Sequence, residues 1–155
     1  MESLSNDTAD EWMTRALVEA RLALDSADVP VGALVFDATG AVIGSGHNER
    51  ERTGDPTAHA EVVAIRAAAE ARGTWRLDDT TLVVTLEPCA MCAGAILQAR
   101  IPRVVFGAWD EKAGAAGSVL DVLRERRLPH RTEVIPGVLE AQCAELLRGF
   151  FETRR

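Results

Sequence analysis

Apolar residues along this chain recur with two periods, one typical of amphipathic helices and one typical of short strands. Helical spacing predicts a first helix from Glu11 to about Leu24, with a capping-box pattern at Thr8 and Glu11, after a loose polar end at residues 1–7. Apolar and β-branched runs predict five strands, at residues 31–36, 41–46, 81–86, 103–107 and 131–135. Further helices are predicted at residues 59–72, 89–100, 119–127 and 138–151.

The order of these elements predicts the fold class. The first two strands flank a turn at residues 37–40 and form a hairpin, whereas the later strands and helices alternate. This order predicts a layered α/β domain in which helices cover a mixed sheet, with the strand at 131–135 on its edge. A chain of 155 residues suits one such domain, residues 1–155, and no internal repeat is visible.

Composition is ordinary for a globular protein, since apolar residues make up 47% and charged residues 26% of the chain. No apolar run is long enough to span a bilayer and no secretion signal is visible, so we expect no membrane partner. Three cysteines, an odd number, fit a reducing cytoplasm better than a disulfide framework. The net charge of −7 argues against non-specific binding to nucleic acid, although basic residues can still gather on one side.

Two short stretches carry the chemistry: His59-Ala60-Glu61 and Pro88-Cys89-Ala90-Met91-Cys92. One imidazole and two thiolates are ligands that zinc takes, and a catalytic zinc site keeps its fourth position for water. Glu61 follows the histidine by two residues and is the natural proton carrier for that water.

Both stretches are predicted to lie where a helix begins. The segment Asp55-Pro56-Thr57 is expected to cap the first of these helices, which puts His59 and Glu61 in its first turn. Cys89 and Cys92 are three residues apart and are therefore neighbours on the second helix. Side chains tilt toward a helix N-terminus, and its positive end lowers the pKa of a thiol there. Two helix ends are thus expected to point at one ion.

Each stretch, taken alone, is also compatible with a different role. A lone Cys-x-x-Cys pair also occurs in redox proteins and as half of a structural zinc site, and a lone histidine is often an ordinary cap residue. A structural four-ligand site needs one more ligand, and the remaining candidates, His47, His130 and Cys143, have no paired spacing with one another. Cys143 is expected to pack in the core.

Together, the His-x-Glu and Pro-Cys-x-x-Cys patterns are the known signature of zinc-dependent nucleobase deaminases. From about residue 12 to 154 the chain resembles the bacterial tRNA-specific adenosine deaminase family, within the cytidine-deaminase-like superfamily. The segment formed by Asp110 and residues 112–118 is the most discriminating, because it separates this family from free-base deaminases. The other similar stretches are residues 30–33, Asn48, residues 55–61, 84–89, 91–95 and 103–107, Phe150-Phe151 and Arg154-Arg155.

The resemblance implies a three-layer α/β/α fold around a mixed five-stranded sheet, a homodimer, and one Zn²⁺ per subunit without an organic cofactor. It implies hydrolytic conversion of adenosine to inosine at the wobble position of a tRNA anticodon, in the cytoplasm, with an arginine tRNA as the expected substrate. Glu61 would move protons, and Asn48 and Ala58 would contact a target base splayed out of the anticodon stem-loop. Zinc would be held by three ligands, His59, Cys89 and Cys92.

Contacts to the RNA backbone would fall to basic side chains. The chain departs from the family at Trp109, where a basic residue often precedes Asp110, and it stops at Arg155 without a longer basic tail. Two other functions remain open: a deaminase of a free base or nucleoside, and a zinc-stabilised RNA-binding module in which Glu61 has no task. The candidate RNA contacts are Arg50, Arg52, Lys112, Arg154 and Arg155.

Overall fold

The structure, a computed structural model, describes residues 1–154. A short 3₁₀ helix, Leu22–Ser26, follows the first α-helix. Within the described residues, the α-helices are α1 (Asn6–Arg21), α2 (Arg50–Thr53), α3 (Ala60–Arg72), α4 (Ala90–Gln98) and α5 (Glu140–Glu152). The strands are β1 (Gly32–Phe36), β2 (Val42–His47), β3 (Thr81–Leu86), β4 (Arg103–Ala108) and β5 (Glu133–Ile135).

The five strands form one mixed sheet in the order β2-β1-β3-β4-β5. Strand β1 is antiparallel to both β2 and β3, whereas β4 is parallel to both β3 and β5. The predicted hairpin and the predicted edge strand are therefore confirmed. Because β3 and β4 run in parallel, with Leu86 opposite Ala108, the segments that follow these two strands emerge side by side.

Alternate side chains of the sheet face two separate apolar layers. Ala33 and Val35 of β1 pack with α3 and α4, whereas Leu34 and Phe36 pack with α1 and α5. Cys143 is buried in the second layer, as predicted. This arrangement is the expected three-layer α/β/α architecture.

Helix α3 lies unusually close to the edge strand β2, because two glycines of that strand have no side chain in the way. A Cβ atom at Gly44 would lie 2.5 Å from the carbonyl oxygen of Ala64, and one at Gly46 would lie 2.7 Å from that of Ala60. Both distances are shorter than any ordinary contact, so the helix backbone rests on the strand backbone at these two points.

The predicted start of the first helix is wrong by several residues. Ser5, and not Thr8, is the N-cap, and its Oγ accepts a hydrogen bond of 3.1 Å from the N–H of Thr8. Residues 6 and 7, expected in a loose end, are therefore helical. The main chain before the helix is also held, since Arg103 Nη1 donates to the carbonyl oxygen of Glu2 at 2.8 Å.

One predicted helix does not form. Residues 119–127 adopt turns, because their backbone groups are engaged by other parts of the chain. The N–H of Val122 donates to the carbonyl of Ala115 at 2.8 Å, and the N–H of Thr132 donates to that of Leu123 at 3.0 Å. Conversely, the segment before His59, predicted as a loop, contains the four-residue helix α2. Among residues 1–154, no helix has both the length and the apolar character that crossing a bilayer requires.

Candidate active site and metal centre

The three predicted metal ligands meet at the N-termini of two helices. His59 and Cys89 are the N-cap residues of α3 and α4, both have extended backbones, and neither uses its side chain as a cap. The Sγ atoms of Cys89 and Cys92 lie 3.6 and 3.5 Å from Nδ1 of His59. All three ligand atoms lie within 4.8 Å of one another.

The donor set and its dimensions fit zinc. Tetrahedral coordination with Zn–S of about 2.3 Å and Zn–N of about 2.0–2.1 Å places a nitrogen and a sulfur ligand about 3.6 Å apart. The observed separations of 3.5 and 3.6 Å match this value. Among the described residues, no other histidine or cysteine and no acidic residue joins the group. A metal ion held here would therefore have three protein ligands and a fourth position facing the cleft.

The alternative fourth ligands are engaged elsewhere. Nδ1 of His47 lies 2.6 Å from the carboxylate of Glu19, and Nε2 of His130 lies 3.2 Å from the carbonyl oxygen of Ile101. Cys143 is buried on the other face of the sheet. The geometry thus argues against a closed structural zinc site built from these residues.

Glu61 lies in the first turn of α3, two residues after the histidine ligand, and its side chain is only 4% exposed. Burial raises the pKa of its carboxyl group to about 7, although hydrogen bonds from its own backbone and from Cys92 act in the opposite direction. A carboxyl group with a pKa near neutrality both accepts and releases protons under working conditions, which suits a general acid–base.

The two thiols differ in proton affinity. A hydrogen bond from the thiol of Cys92, despite opposing burial, lowers the pKa of Cys89 to about 3, and His59 assists. That same bond, together with burial, raises the pKa of Cys92. The difference arises because the two sulfurs share one proton; a bound cation stabilises both as thiolates.

Glu61 and two of the ligands line an open cleft of about 550 Å³. This volume lies within the range of small-molecule sites. Its walls combine apolar side chains, including Leu86 and Leu147, with the polar groups of the site. Two chain segments form its shoulders. We refer to residues 48–57 as the Arg50 segment and to residues 109–118 as the glycine-rich loop.

The Arg50 segment places Asn48 at the cleft and differs from prediction in how α3 is capped. Asn48 Oδ1 accepts a 2.8 Å hydrogen bond from the N–H of Ala60, so a residue twelve positions away caps the helix. Asp55 instead accepts from the N–H of Thr57 at 2.8 Å and closes a local turn. The oxygen of Asn48 is thereby committed, and its amide nitrogen is the atom available to a substrate in the cleft. Ala58, the other predicted substrate contact, is buried.

A buried carboxylate that the sequence prediction missed organises the glycine-rich loop. Glu87, 2% exposed, accepts three backbone hydrogen bonds: from Asp110 at 3.0 Å, Ala116 at 2.9 Å and Ser118 at 3.1 Å. Gly114 passes so close that a Cβ there would lie 2.3 Å from the carboxylate. The signal in the sequence is an acidic residue between a buried strand and the first cysteine ligand.

The loop is also joined directly to the metal-ligand segment. The N–H of Ala115 donates to the carbonyl oxygen of Pro88 at 2.7 Å, and Gly114 forms a bridge with Cys89. The position of one metal ligand and the position of this shoulder are therefore coupled.

A second missed carboxylate organises the Arg50 segment. Asp28, 2% exposed, accepts from the N–H groups of Glu51 at 2.7 Å and Arg52 at 3.3 Å. Burial favours its neutral form, but these bonds and one from Ser26 outweigh burial and hold the pKa of Asp28 below its usual range. No pattern in the sequence marks this residue, because its backbone partners lie more than twenty positions away.

Two of the five predicted RNA contacts line the cleft, and two others do not. Arg50 and Lys112 line the cleft, one on each shoulder. Arg154 borders a neighbouring hollow that Arg50 also lines, and its guanidinium lies over the ring of Phe150. Arg52 is exposed but does not line the cleft. Arg155 lies outside the described residues.

Comparison with known proteins identifies the family. A family model described as MafB19-like deaminase matches residues 7–155. The tRNA-specific adenosine deaminase of Bacillus subtilis (strain 168) is 46% identical to this chain over 149 residues, which cover 96% of this chain and 92% of that protein. The chain belongs to the tRNA-specific adenosine deaminase family.

Solved structures of deaminases have a similar fold. One, from a study of A-to-I editing by tRNA:A34 deaminases at the wobble position of transfer RNA, is 44% identical with a TM-score of 0.84. It covers 88% of this chain and 99% of its own. A guanine deaminase from Bacillus subtilis is 33% identical with a TM-score of 0.63, over 94% of this chain and 92% of its own. The predicted family and cytidine-deaminase-like fold are confirmed.

Proposed function

We propose that this chain is a zinc-dependent hydrolase that converts adenosine to inosine at the wobble position of a tRNA anticodon, with an arginine tRNA as substrate. The observation that carries the proposal is the buried carboxyl group of Glu61 beside three ligand atoms spaced for zinc, at a cleft that Glu61 and two of the ligand residues line. The identity of 46% to the Bacillus subtilis tRNA-specific adenosine deaminase supports the choice of substrate.

In the proposed reaction, His59, Cys89 and Cys92 would hold zinc, which would supply Lewis acidity and lower the pKa of the attacking water toward neutrality. Glu61 accepts a proton from the water that adds to C6 of the adenine and donates that proton to ring N1. It then carries the remaining hydroxyl proton to the exocyclic nitrogen, which leaves as ammonia. Water is consumed, and the product is inosine.

The chain's other groups orient the substrate. The free amide nitrogen of Asn48 donates to an acceptor on the base, while the apolar walls near Leu86 and Leu147 exclude water from its faces. Arg50 and Lys112 stand on opposite shoulders, where they can meet phosphates on either side of a splayed nucleotide. These two cations attract RNA locally, although the net charge of −7 would otherwise repel it.

The decisive experiment measures inosine in a transcribed arginine tRNA incubated with the zinc-loaded protein. Glu61→Gln keeps the shape of the side chain, so we expect zinc content to be unchanged and kcat to fall by about 10²–10⁴-fold. Glu70→Gln, an exposed position on the same helix, is the matched control and should retain full turnover. Undiminished turnover by Glu61→Gln would remove the role proposed for Glu61.

A second candidate is a deaminase of a free base, since the guanine deaminase from Bacillus subtilis is 33% identical. Ammonia released from guanine, cytosine or a nucleoside, with no inosine in tRNA, would favour this activity. Zinc binding with no product from any of these substrates would instead favour a non-catalytic RNA-binding module.

The proposal also includes a homodimer with one zinc ion per subunit that acts in the cytoplasm, where tRNA is modified. Light scattering coupled to size-exclusion chromatography tests the dimer, and elemental analysis per mole of chain tests the zinc stoichiometry. A monomer that retains full turnover would contradict the dimer without affecting the chemistry of Glu61.

A further inference from the structure

Trp109 lies at the mouth of the cleft, immediately after strand β4. Its side chain is 39% exposed, and it lines the cleft together with Glu61 and Cys89. Neither the metal site nor the proton transfer described above uses this residue.

The indole ring is held in place from two sides. It meets the ring of Phe106 edge-on, with centroids 4.9 Å apart and planes at 85°. On the other side the backbone of the glycine-rich loop lies against it, since a Cβ at Gly117 would be 3.3 Å from Cζ3 of the indole. The next residue is fixed by Glu87, which accepts from the N–H of Asp110. A ring fixed in this way loses little conformational entropy when a ligand stacks on it.

The two side chains that follow Trp109 directly are acidic, whereas the nearby cations are Lys112 and Arg124, whose Nη2 donates to the carbonyl oxygen of Ala116. Both acidic residues also line the cleft, and Lys112 is the only cation of the loop. A nucleotide that passes here is therefore held more readily through its base than through its backbone. An indole face stacks on any unpaired base, because every base has a π-face.

Depth separates the target base from its neighbours. The reacting carbon must come within reach of the water that Glu61 activates, and Glu61 is only 4% exposed. Trp109 is far more exposed and lies at the rim, so the base that meets it is one adjacent in sequence to the target. We propose that Trp109 is a stacking platform for the unpaired nucleobase next to the target adenosine, an inference that rests on the proposed function and deepens it.

The test measures KM and kcat for inosine formation in an anticodon stem-loop. Trp109→Ala should raise KM by about 5- to 150-fold, the range that corresponds to loss of one base–aromatic stack, and leave kcat within a small factor. Trp109→Phe keeps a smaller ring and should retain a substantial part of the affinity. The fold and the thermal midpoint of Trp109→Ala are compared with those of the wild type, so that a purely structural cause of the change in KM is recognised.

The chain provides a matched control in Trp75, an exposed tryptophan beyond the C-terminus of α3. That helix has 13 residues and is therefore about 20 Å long, so Trp75 lies at the far end from the site. Its ring is already flanked by the guanidinium groups of Arg76 and Arg100. Trp75→Ala should leave KM unchanged.

Stem-loops that lack one flanking base identify the stacking partner. An abasic site on one side of the target should raise KM for the wild-type protein but add nothing to the effect of Trp109→Ala. Equal effects of the abasic site in both proteins, or an unchanged KM in Trp109→Ala, would overturn the stacking proposal.

A binding experiment tests the stacking separately from the proposed catalytic function. If the wild-type protein forms no inosine, binding of the stem-loop is followed instead by quenching of tryptophan fluorescence in a Trp75→Phe variant. Quenching that disappears in Trp109→Phe, and with the abasic stem-loop, supports stacking without catalysis. Binding without any quenching rejects it.

Discussion

The two shoulders of the cleft are held by the same device, a buried carboxylate that accepts backbone hydrogen bonds, but at different scales. Asp28 holds two adjacent N–H groups at the start of helix α2. Glu87 holds three N–H groups spread over nine residues, from Asp110 to Ser118. The first carboxylate fixes one helical turn, whereas the second determines the path of a whole loop.

Their connections to the metal site differ as well. The glycine-rich loop is hydrogen-bonded to Pro88 and bridged to Cys89, so displacing the loop moves a metal ligand. The Arg50 segment reaches the site through Asn48, which caps α3 after the histidine ligand. We therefore expect damage to the glycine-rich loop to affect metal binding and chemistry, and damage at Asp28 to affect mainly substrate binding.

The largest effect is expected for Glu87→Ala. The N–H of Ala116 loses its acceptor in the interior, and those of Asp110 and Ser118 lose theirs at partly buried positions; a stranded buried group costs about 1–3 kcal/mol. We expect a loss of about 2 kcal/mol or more in the free energy of unfolding, together with weaker zinc retention. Urea denaturation and a chelator competition assay measure the two quantities. Glu87→Gln keeps one acceptor oxygen, so its free energy of unfolding and its zinc retention should lie between those of Glu87→Ala and the wild type.

Gly114→Ala should have the next largest effect. The added methyl group would lie 2.3 Å from the carboxylate of Glu87, which three hydrogen bonds prevent from moving aside. Such overpacking costs about 1–3 kcal/mol and should lower kcat as the Cys89 segment shifts.

The Arg50 segment offers the matched control for that substitution. Gly54 has a positive φ of 70°, but nothing lies within 4 Å of a Cβ placed there. Gly54→Ala therefore carries only backbone strain of about 1–2 kcal/mol and should leave kcat unchanged. Equal losses of kcat in both alanine variants would show that the two shoulders are not distinct.

A smaller effect is expected for Asp28→Ala. Loss of its hydrogen bonds to the start of α2 resembles loss of a helix cap, which costs about 0.5–2 kcal/mol. Arg50 loses its fixed position, so KM for the stem-loop should rise while kcat and zinc content stay near those of the wild type. A fall in kcat equal to that of Glu87→Ala would contradict the division of labour.

The smallest effect is a dependence on pH. The pKa of Asp28 lies below its ordinary value of 3.8 in the folded protein, so its ionised form contributes stability above that value. The stability difference between the wild type and Asp28→Asn should be constant near neutrality and shrink as the pH falls below 3.8. Urea midpoints at successive pH values measure it, and loss of metal in acid affects both proteins alike. A stability difference between the two proteins that grows as the pH falls would contradict this prediction.

Local pattern was sufficient for most elements and for the grouping of the three candidate ligands. The β-branched run at Thr81–Leu86 and the helical spacing after His59 each depend on neighbours in the sequence, and the structure has both elements. The spacing of Cys89 and Cys92 likewise determines that they share one helix end. These are features in which intrinsic preference and tertiary packing agree.

Features that depend on distant partners could not be predicted. The cap of α3 comes from Asn48 and the acceptor for the glycine-rich loop from Glu87, and no local rule connects such pairs. Residues 119–127 have helical spacing, yet their backbone bonds to Ala115 instead. In each case tertiary hydrogen bonds outweigh a weak local preference.

The two glycines of β2 have a consequence for the metal site at the N-terminus of α3, because they contact the first turns of that helix. Ala60 and Ala64 are one helical turn apart, and two fixed points define both the position and the direction of a rod. Metal–ligand lengths tolerate errors of only about 0.2 Å, a smaller distance than one methyl group would displace the rod. The accuracy with which the imidazole would meet a metal ion therefore depends on a strand that contributes none of the candidate ligands.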